Sequence, residues 1–124
     1  MLPIRATKGS AGYDLYCNEA VTLKSGELKK IPLAIKVNCP EGYWAKIEGR
    51  SSLALKGIYP AGGIIDNDYH GEISVIMYNV SEEEHTFEKD DRIAQLVFIP
   101  LLLTNETTLS TEERGEGGFG STNK

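Results

Sequence analysis

Cysteine is scarce in this sequence, and long apolar runs are missing. Cys17 and Cys39 are the two cysteines of 124 residues, too few for a disulfide framework, and neither has metal-ligand spacing to His70 or His85. No apolar run approaches the roughly 20 residues that a membrane span needs. Residues 1–20 lack the apolar core of a secretory signal. We therefore expect reduced cysteines, a cytoplasmic or nuclear location, no secretion and no membrane partner.

An excess of basic residues is also missing. Thirteen Lys and Arg face 18 Asp and Glu, which gives a net charge of −5. Broad, sequence-independent binding to nucleic acid needs a basic surface, so we expect no nucleic-acid partner. A pocket for a single nucleotide is compatible with this charge. The Walker phosphate loop and the dinucleotide fingerprint are both absent, and nothing beyond composition supports Ser–His–Asp chemistry.

Short alternating segments separated by turns make up most of the chain. Residues 11–17, 28–37, 43–48 and 73–79 alternate apolar with polar positions, and residues 91–103 are the most apolar segment. Pro32 lacks an N–H donor, which predicts an edge strand or a bulge. The pattern predicts a single all-β domain, either a barrel or a jelly-roll sandwich.

One short segment favours a helix. In RSSLALKG at 50–57, Ser51 or Ser52 is a candidate N-cap and Gly57 a candidate stop. Free backbone N–H groups and the guanidinium of Arg50 would meet at its beginning, which suits a phosphate. The alternative is a surface arginine beside an ordinary cap.

Residues 62–75, GGIIDNDYHGEISV, predict a β-hairpin with charged and aromatic groups at its bend. Such a bend costs stability unless it has a function, and the flanking glycines allow backbone groups to approach a planar ligand. We interpret it as a ligand site. Asp66 and Asp68 are also a candidate carboxylate pair for acid and base catalysis, although a spacing of two within a turn is weak evidence.

The C-terminal residues RGEGGFGSTNK, 114–124, are rich in glycine and offer only Phe119 for burial. This composition suits an arm that becomes ordered over a ligand, with Arg114 facing anionic oxygens and Phe119 stacking on a ring. The alternative is a disordered terminus. Together with the helix start and the bend, such an arm suits a nucleoside triphosphate.

Five blocks in order resemble the trimeric dUTP pyrophosphatases, or dUTPases: AGYDL at 11–15, GRSSLA at 49–54, GGIIDNDYHGE at 62–72, DRIAQL at 91–96 and RGEGGFGST at 114–122. The resemblance implies a distorted jelly-roll β-barrel with one short helix, assembled as a homotrimer. Residues 1–113 would form the core, and residues 114–124 would be an arm that closes over a neighbouring subunit's active site. GRSS and the 16 positions from Arg50 to Asp66 are similar to retroviral members, which would allow a virion-associated location. Only ten residues precede the first block, where the family usually has a strand, so closure of one sheet edge is in question.

The resemblance also implies the reaction, which is Mg²⁺-dependent hydrolysis of dUTP to dUMP and pyrophosphate. Asp66 would activate the attacking water, and Tyr69 would pack on the deoxyribose. The substrate phosphates would hold most of the Mg²⁺ coordination, with Asp14 reaching the metal through water. The resemblance further implies phosphate contacts from Arg50, Ser51, Ser52 and Gln95. It implies uracil contacts from Gly63, Ile64, Ile65 and Ser74. From the arm it implies substrate contacts by Arg114, Phe119 and Gly120. Three alternatives stay open, namely a dCTP deaminase, a nucleotide-sensing module without catalysis, and a structural jelly roll without ligand.

Overall fold

The computed structural model describes residues 1–105, so the predicted boundary at residue 113 and the predicted arm residues Arg114, Phe119 and Gly120 lie outside the described part. Residues 1–105 contain nine strands and one helix: β1 Gly12–Tyr16, β2 Val21–Leu23, β3 Leu28–Lys36, β4 Tyr43–Glu48, α1 Ser51–Ala54, β5 Ile58–Ala61, β6 Ile64–Ile65, β7 Glu72–Asn79, β8 His85–Phe87 and β9 Arg92–Pro100. The prediction of an all-β fold with one short helix is confirmed. No helix in this part of the chain is long and apolar enough to cross a membrane.

The strands form three antiparallel sheets. Their orders are β1-β9-β4-β6, β2-β8 and β3-β7-β5. Strand β3 lies at an edge, and its pairing with β7 shifts register between Pro32 and Lys36, where Ala34 has φ 58°. Both expectations for Pro32, an edge and a bulge, are met because its missing N–H leaves a gap in the ladder.

The core lies between the sheets and follows the alternation of the strands. On β7 the side chains of Ile73, Val75 and Met77 are buried, while the residues between them are more exposed. Leu53 is the buried residue of α1 and fixes that short helix against the core. Burial of each such side chain stabilises the fold by roughly 1.5–3 kcal/mol.

The predicted hairpin over residues 62–75 is wrong in its pairing. β6 pairs with β4, with Ala45 opposite Ile65, whereas β7 pairs with β3 and β5. The backbone N–H of Ile47 donates to the carbonyl of Gly63 at 2.8 Å, which holds β6 on the other sheet. Alternation predicts two strands joined by a turn, but it cannot say whether both belong to one sheet. The bend at 66–71, called here the crossing bend, therefore connects two sheets.

Within residues 1–105 the barrel is not closed, which agrees with a distorted jelly roll. β1 and β6 are the edges of the four-stranded sheet. Among residues 1–10, Ile4 forms an isolated bridge to Asp14, and the N–H of Asp14 donates to the Ile4 carbonyl at 2.7 Å. The segment before AGYDL thus contributes a single bridge to this edge instead of a strand.

Candidate active site

A cavity of about 270 Å³ opens beside the crossing bend, between β6 and β7. We call it the bend cavity. Its size is near the lower end of small-ligand pockets. Six residues that the sequence predicted for the base, the sugar and the attacking water all line it, namely Gly63, Ile64, Ile65, Asp66, Tyr69 and Ser74. The change of sheet brings these six together, because it leaves space between the last residues of β6 and the first residues of β7.

Gly63 forms the wall nearest β4 in a conformation that favours glycine. Its φ is +105°, and a Cβ atom there would lie 2.8 Å from the backbone oxygen of Ile47. Any side chain at this position would push β6 away from β4. The predicted approach of backbone to a planar ligand stays a prediction, and at Gly63 no other residue fits without strain.

The carboxylate of Asp66 is exposed at the cavity wall. Within residues 1–105 the carboxylate makes no hydrogen bond or ion pair, while the Asp66 backbone carbonyl accepts from the N–H of Tyr69 at 3.0 Å. The backbone is therefore fixed by the turn while the carboxylate oxygens stay available to accept a proton from water.

Tyr69 is held by two contacts. Its hydroxyl donates to the backbone carbonyl of Glu72 at 2.8 Å. Its ring lies over Gly71, where an added Cβ would come within 2.6 Å of the Tyr69 Cζ atom and closer still to the Oη atom. Tyr69 is 45% exposed, so part of the side chain is accessible to a ligand. Gly71 therefore determines where the Tyr69 ring can lie.

A second group of predicted residues lies around the beginning of α1, and β9 brings it together. The Arg50 Nη1 atom donates to the Arg92 carbonyl at 3.2 Å, and the Gln95 Nε2 atom donates to the Gly49 carbonyl at 2.9 Å. Asp14 is opposite Gln95 in the β1–β9 ladder. Arg50, Gln95 and Asp14, predicted from three separate blocks, thus meet at one end of β9.

The predicted serine cap of the helix is wrong. Arg50 is the N-cap residue, with φ −102° and ψ 135°, and it makes no side-chain capping bond. Ser51 and Ser52 are the first two helical residues, and both are exposed. Within residues 1–105 neither hydroxyl has a hydrogen-bond partner, so both are free to donate to an anion.

Arg50 and Ser52 line a cleft of about 240 Å³, called here the basic cleft. Lys56, His85 and Arg92 also line it, so most of its ionisable side chains are basic. No residue of the basic cleft lines the bend cavity. The described chain therefore divides the predicted site residues into two groups in two different places.

Several residues of the bend cavity were not predicted from the sequence. They are Lys30, Ile47, Glu72, Ile73 and Ile76. Lys30 is opposite Ile76 in the β3–β7 ladder. The alternation of apolar and polar residues assigns each of these residues to one face of its strand. The pairing register between strands is what brings them beside the cavity, and it cannot be read from the sequence pattern.

The described residues offer little to a metal ion. Residues 1–105 contain no group of three or more His, Cys, Asp or Glu side chains that could hold one. Asp14 is a single carboxylate with its Oδ2 atom 3.7 Å from Nη1 of Arg92. This donor set fits a magnesium ion held mainly by a ligand's own oxygens, with Asp14 accepting from one of the metal's waters. It does not fit a metal bound in a protein cage.

The fold and the two groups define an all-β protein with a small cavity beside the crossing bend and a separate basic cleft. The sequence profile of the dUTPase family matches residues 1–123. The deoxyuridine 5'-triphosphate nucleotidohydrolase of Hydrogenobaculum sp. (strain Y04AAS1) is 43% identical, over 98% of this chain and 89% of that protein. The chain belongs to the dUTPase family, a family of enzymes.

Two further relatives differ in origin. The Pol polyprotein of an ovine maedi visna related virus is 40% identical over 98% of this chain, which spans 11% of the polyprotein. A solved dUTPase variant from phage phi11 of S. aureus, described with a structural Mg(II) ion, has a TM-score of 0.81 and 26% identity over 94% of this chain and 92% of its own. Bacterial and retroviral relatives are similar at nearly equal identity, so identity does not single out the retroviral type.

Proposed function

We propose that this chain hydrolyses dUTP to dUMP and pyrophosphate. The observation that carries the proposal is the bend cavity, where one space holds the residues suited to a base, a sugar and a water-activating carboxylate. The reaction would limit uracil incorporation into DNA and supply dUMP for dTMP synthesis. Both cysteines are free thiols, which supports a cytoplasmic or nuclear location, or the virion if the chain is viral.

Uracil would occupy the bend cavity. Backbone groups of Gly63, Ile64 and Ile65 on one side and of Ser74 on the other would pair with the edge of the base. Ile65 and Ile73 are buried beside the cavity and would leave little space for the methyl group of thymine. Tyr69, held over Gly71, would pack on the deoxyribose and leave no space for a 2′-hydroxyl.

Asp66 would act as the base. Its carboxylate accepts a proton from the attacking water, whose oxygen forms a bond to the α-phosphorus, and the bond from that phosphorus to the bridging oxygen breaks as pyrophosphate leaves. Phosphoryl transfer of this kind depends mainly on positioning and charge neutralisation, so one carboxylate and a basic site suffice. Arg50, Ser51, Ser52 and Gln95 would hold the phosphate oxygens.

Magnesium would be bound by the three phosphates, with Asp14 as an acceptor for one of its waters. When bound, the ion would neutralise charge on the phosphates. The position of Asp14, next to Gln95 in the ladder, supports this role because it places a carboxylate beside the residues proposed for the phosphates.

The two separate groups support a homotrimer in which each active site is shared. Asp66 and Tyr69 would come from one copy and Arg50 with its neighbours from the next, while Arg114, Phe119 and Gly120 would close the site from an arm. Such an assembly would cover apolar side chains that are exposed in the single copy, since Leu55 is 90% exposed and Ile64, at the rim of the bend cavity, is 70% exposed.

Pyrophosphate release tests the reaction. Wild-type chain with Mg²⁺ should release pyrophosphate from dUTP, and much less from dCTP, dTTP and UTP. Asp66→Asn should bind dUTP without turnover. Binding of dUTP without release by the wild type would favour the sensing module, ammonia release from dCTP would favour the deaminase, and no response to any nucleotide would favour a structural role.

A mixture of two inactive variants tests the shared site. Asp66→Asn and Arg50→Ala should each be inactive alone. If the two residues of one site come from different copies, refolding an equal mixture should restore about a quarter of wild-type activity, because a quarter of the sites combine an intact Asp66 with an intact Arg50. Mixing without refolding is the matched control. No recovery after refolding would contradict the shared site.

A further inference from the structure

Asn67 fastens the crossing bend to a distant part of the chain. Its Nδ2 atom donates to the backbone carbonyl of Pro40 at 2.9 Å and to that of Tyr43 at 2.7 Å. A primary amide has two N–H donors, and both are used here. The side chain next to the proposed base thus joins two segments that lie 24 to 27 residues apart.

The turn from Pro40 to Tyr43, which accepts these bonds, is itself held by several hydrogen bonds. The N–H of Tyr43 donates to the Pro40 carbonyl at 3.2 Å, and Gly42 has the φ of +82° that such a tight turn requires. The Leu101 N–H donates to the Gly42 carbonyl at 2.9 Å. The Cys39 thiol donates to the backbone carbonyl of Tyr43 at 3.2 Å. The turn is therefore bonded to Leu101, the residue after β9, and leads into β4, so it is a fixed point for the bend.

The crossing bend has few other ties. Among the described residues, the other hydrogen bonds from 66–71 are those of Tyr69, to Asp66 within the bend and to Glu72 at the beginning of β7. Within residues 1–105, Asp68 and His70 make no hydrogen bond, and both are exposed. Among the described residues, Asn67 is thus the bend's side-chain link to the Pro40–Tyr43 turn, beside the Asp66–Tyr69 turn bond and the pairing of β6 with β4, whereas the Tyr69 end also has its bond to Glu72 of β7.

We propose that Asn67 is a positioning residue for the reaction, holding the crossing bend so that the Asp66 carboxylate stays at the wall of the cavity. This inference rests on the proposed role of Asp66 as the base. A shift of about 1 Å in a reacting group can lower a rate by about 100-fold. Because Tyr69 has its own tie to β7, loss of Asn67 should affect turnover more than substrate binding.

Asn67→Ala removes both donors. We expect kcat to fall by about 10- to 100-fold with KM within about twofold, and amide hydrogen exchange at 66–71 to become faster. Asn38→Ala is the matched control. Asn38 lies on the β3–β4 connection that also contains the turn bonded by Asn67, is exposed, and makes no hydrogen bond within residues 1–105. It should leave kcat, KM and the exchange at 66–71 unchanged.

Asn67→Asp adds a readout that a purely structural role would not move. An ionised carboxylate would face two carbonyl oxygens, whereas a protonated one regains a single donor. The kcat of Asn67→Asp divided by that of Asn67→Ala should therefore rise as pH falls from about 8 to about 5, because the regained donor restores part of the anchor. Dividing by the kcat of Asn67→Ala removes the pH dependence of the reaction that the two variants have in common.

The outcomes separate the two proposals. If the wild type is active and Asn67→Ala keeps the wild-type kcat, the positioning role is overturned and the proposed function is not. The same conclusion follows if Asn67→Ala loses substrate binding and turnover equally. A flat ratio between the two variants across this pH range does the same. A wild type that releases no pyrophosphate overturns the proposed function instead, and unchanged exchange at 66–71 in Asn67→Ala would overturn the anchor whether or not the chain is active.

Discussion

Arg92 and Asp14 form an ion pair across the β1–β9 ladder, with 3.7 Å between the Nη1 and Oδ2 atoms. The Asp14 side chain is 18% exposed and that of Arg92 is 50% exposed. The Arg92 carbonyl also accepts the hydrogen bond from Arg50. Arg92 therefore links the residue proposed for the metal's water to the residue proposed for the phosphates.

Asp14→Asn should weaken the response to magnesium. The amide keeps the shape of the side chain but loses the charge that attracts a metal-bound water, so the Mg²⁺ concentration for half-maximal rate should rise about 10-fold or more. An ion pair this exposed contributes roughly 0.2–1 kcal/mol, so stability should change little. Titrating Mg²⁺ while measuring pyrophosphate release tests the effect. Glu41→Gln is the control, because it makes the matching acid-to-amide change at an exposed residue. An unchanged titration would remove Asp14 from the metal role.

Gly71→Ala should relax the discrimination between dUTP and UTP. The added Cβ would collide with the Tyr69 ring and displace it from the sugar position, so the ratio of kcat/KM for the two nucleotides should fall by about 10-fold or more. Gly9→Ala is the matched control, because a Cβ there has nothing within 4 Å. An unaltered ratio in Gly71→Ala would mean that the position of the ring does not exclude ribose.

Deletion of residues 114–124 should spare assembly and remove most of the rate. The core cluster of the described residues runs from Tyr13 to Phe98, whereas Arg114 and Phe119 are proposed to close the site, so assembly should persist and kcat should fall by about 100-fold or more. Light scattering reports the oligomer and pyrophosphate release the rate. A truncated chain with full activity would contradict the proposed arm.

Cys17 should make stability fall in alkaline solution. Burial, with a smaller contribution from Asp91, raises the pKa of this thiol from 9.0 to about 11. The unfolded chain therefore loses the proton first, so the contribution of Cys17 is complete below about pH 9 and is lost as pH rises towards about 11. Urea unfolding of wild type should show this fall, and Cys17→Ala should show less of it. Cys39→Ala, at a half-buried thiol, is the control, and parallel curves for wild type and Cys17→Ala would contradict the prediction.

The sequence predicted the fold class because burial alternates along the strands as the apolar residues do. Pro32 marked a bulge at an edge because proline lacks a donor. The pairing of β6 was missed because Ile64 and Ile65 have the same alternation whichever sheet they join, and long-range pairing with Ala45, Lys46 and Ile47 of β4 decides it. Local chemistry thus predicted the elements but not their partners.

The candidate site was predictable where single residues carry the chemistry and not where the contacts are long-range. The composition of the bend indicates a ligand site, and the resemblance of GGIIDNDYHGE to the dUTPase block implies the roles of Asp66 and Tyr69 in it. The role of Asn67 did not follow from either, since its importance lies in two carbonyls more than 20 residues away. Lys30 was missed for the same reason, because it reaches the cavity only through the β3–β7 register.

The short length of β6 also affects how the folded chain meets other copies of itself. It is a sheet edge with an exposed Ile64, which would ordinarily invite strand addition and aggregation. With only two residues in the ladder, preceded by Gly62 at φ +72° and Gly63 at φ +105°, the edge offers too short a row of backbone donors to start a fibril. The glycines that shape the cavity thereby also protect the chain against misassembly.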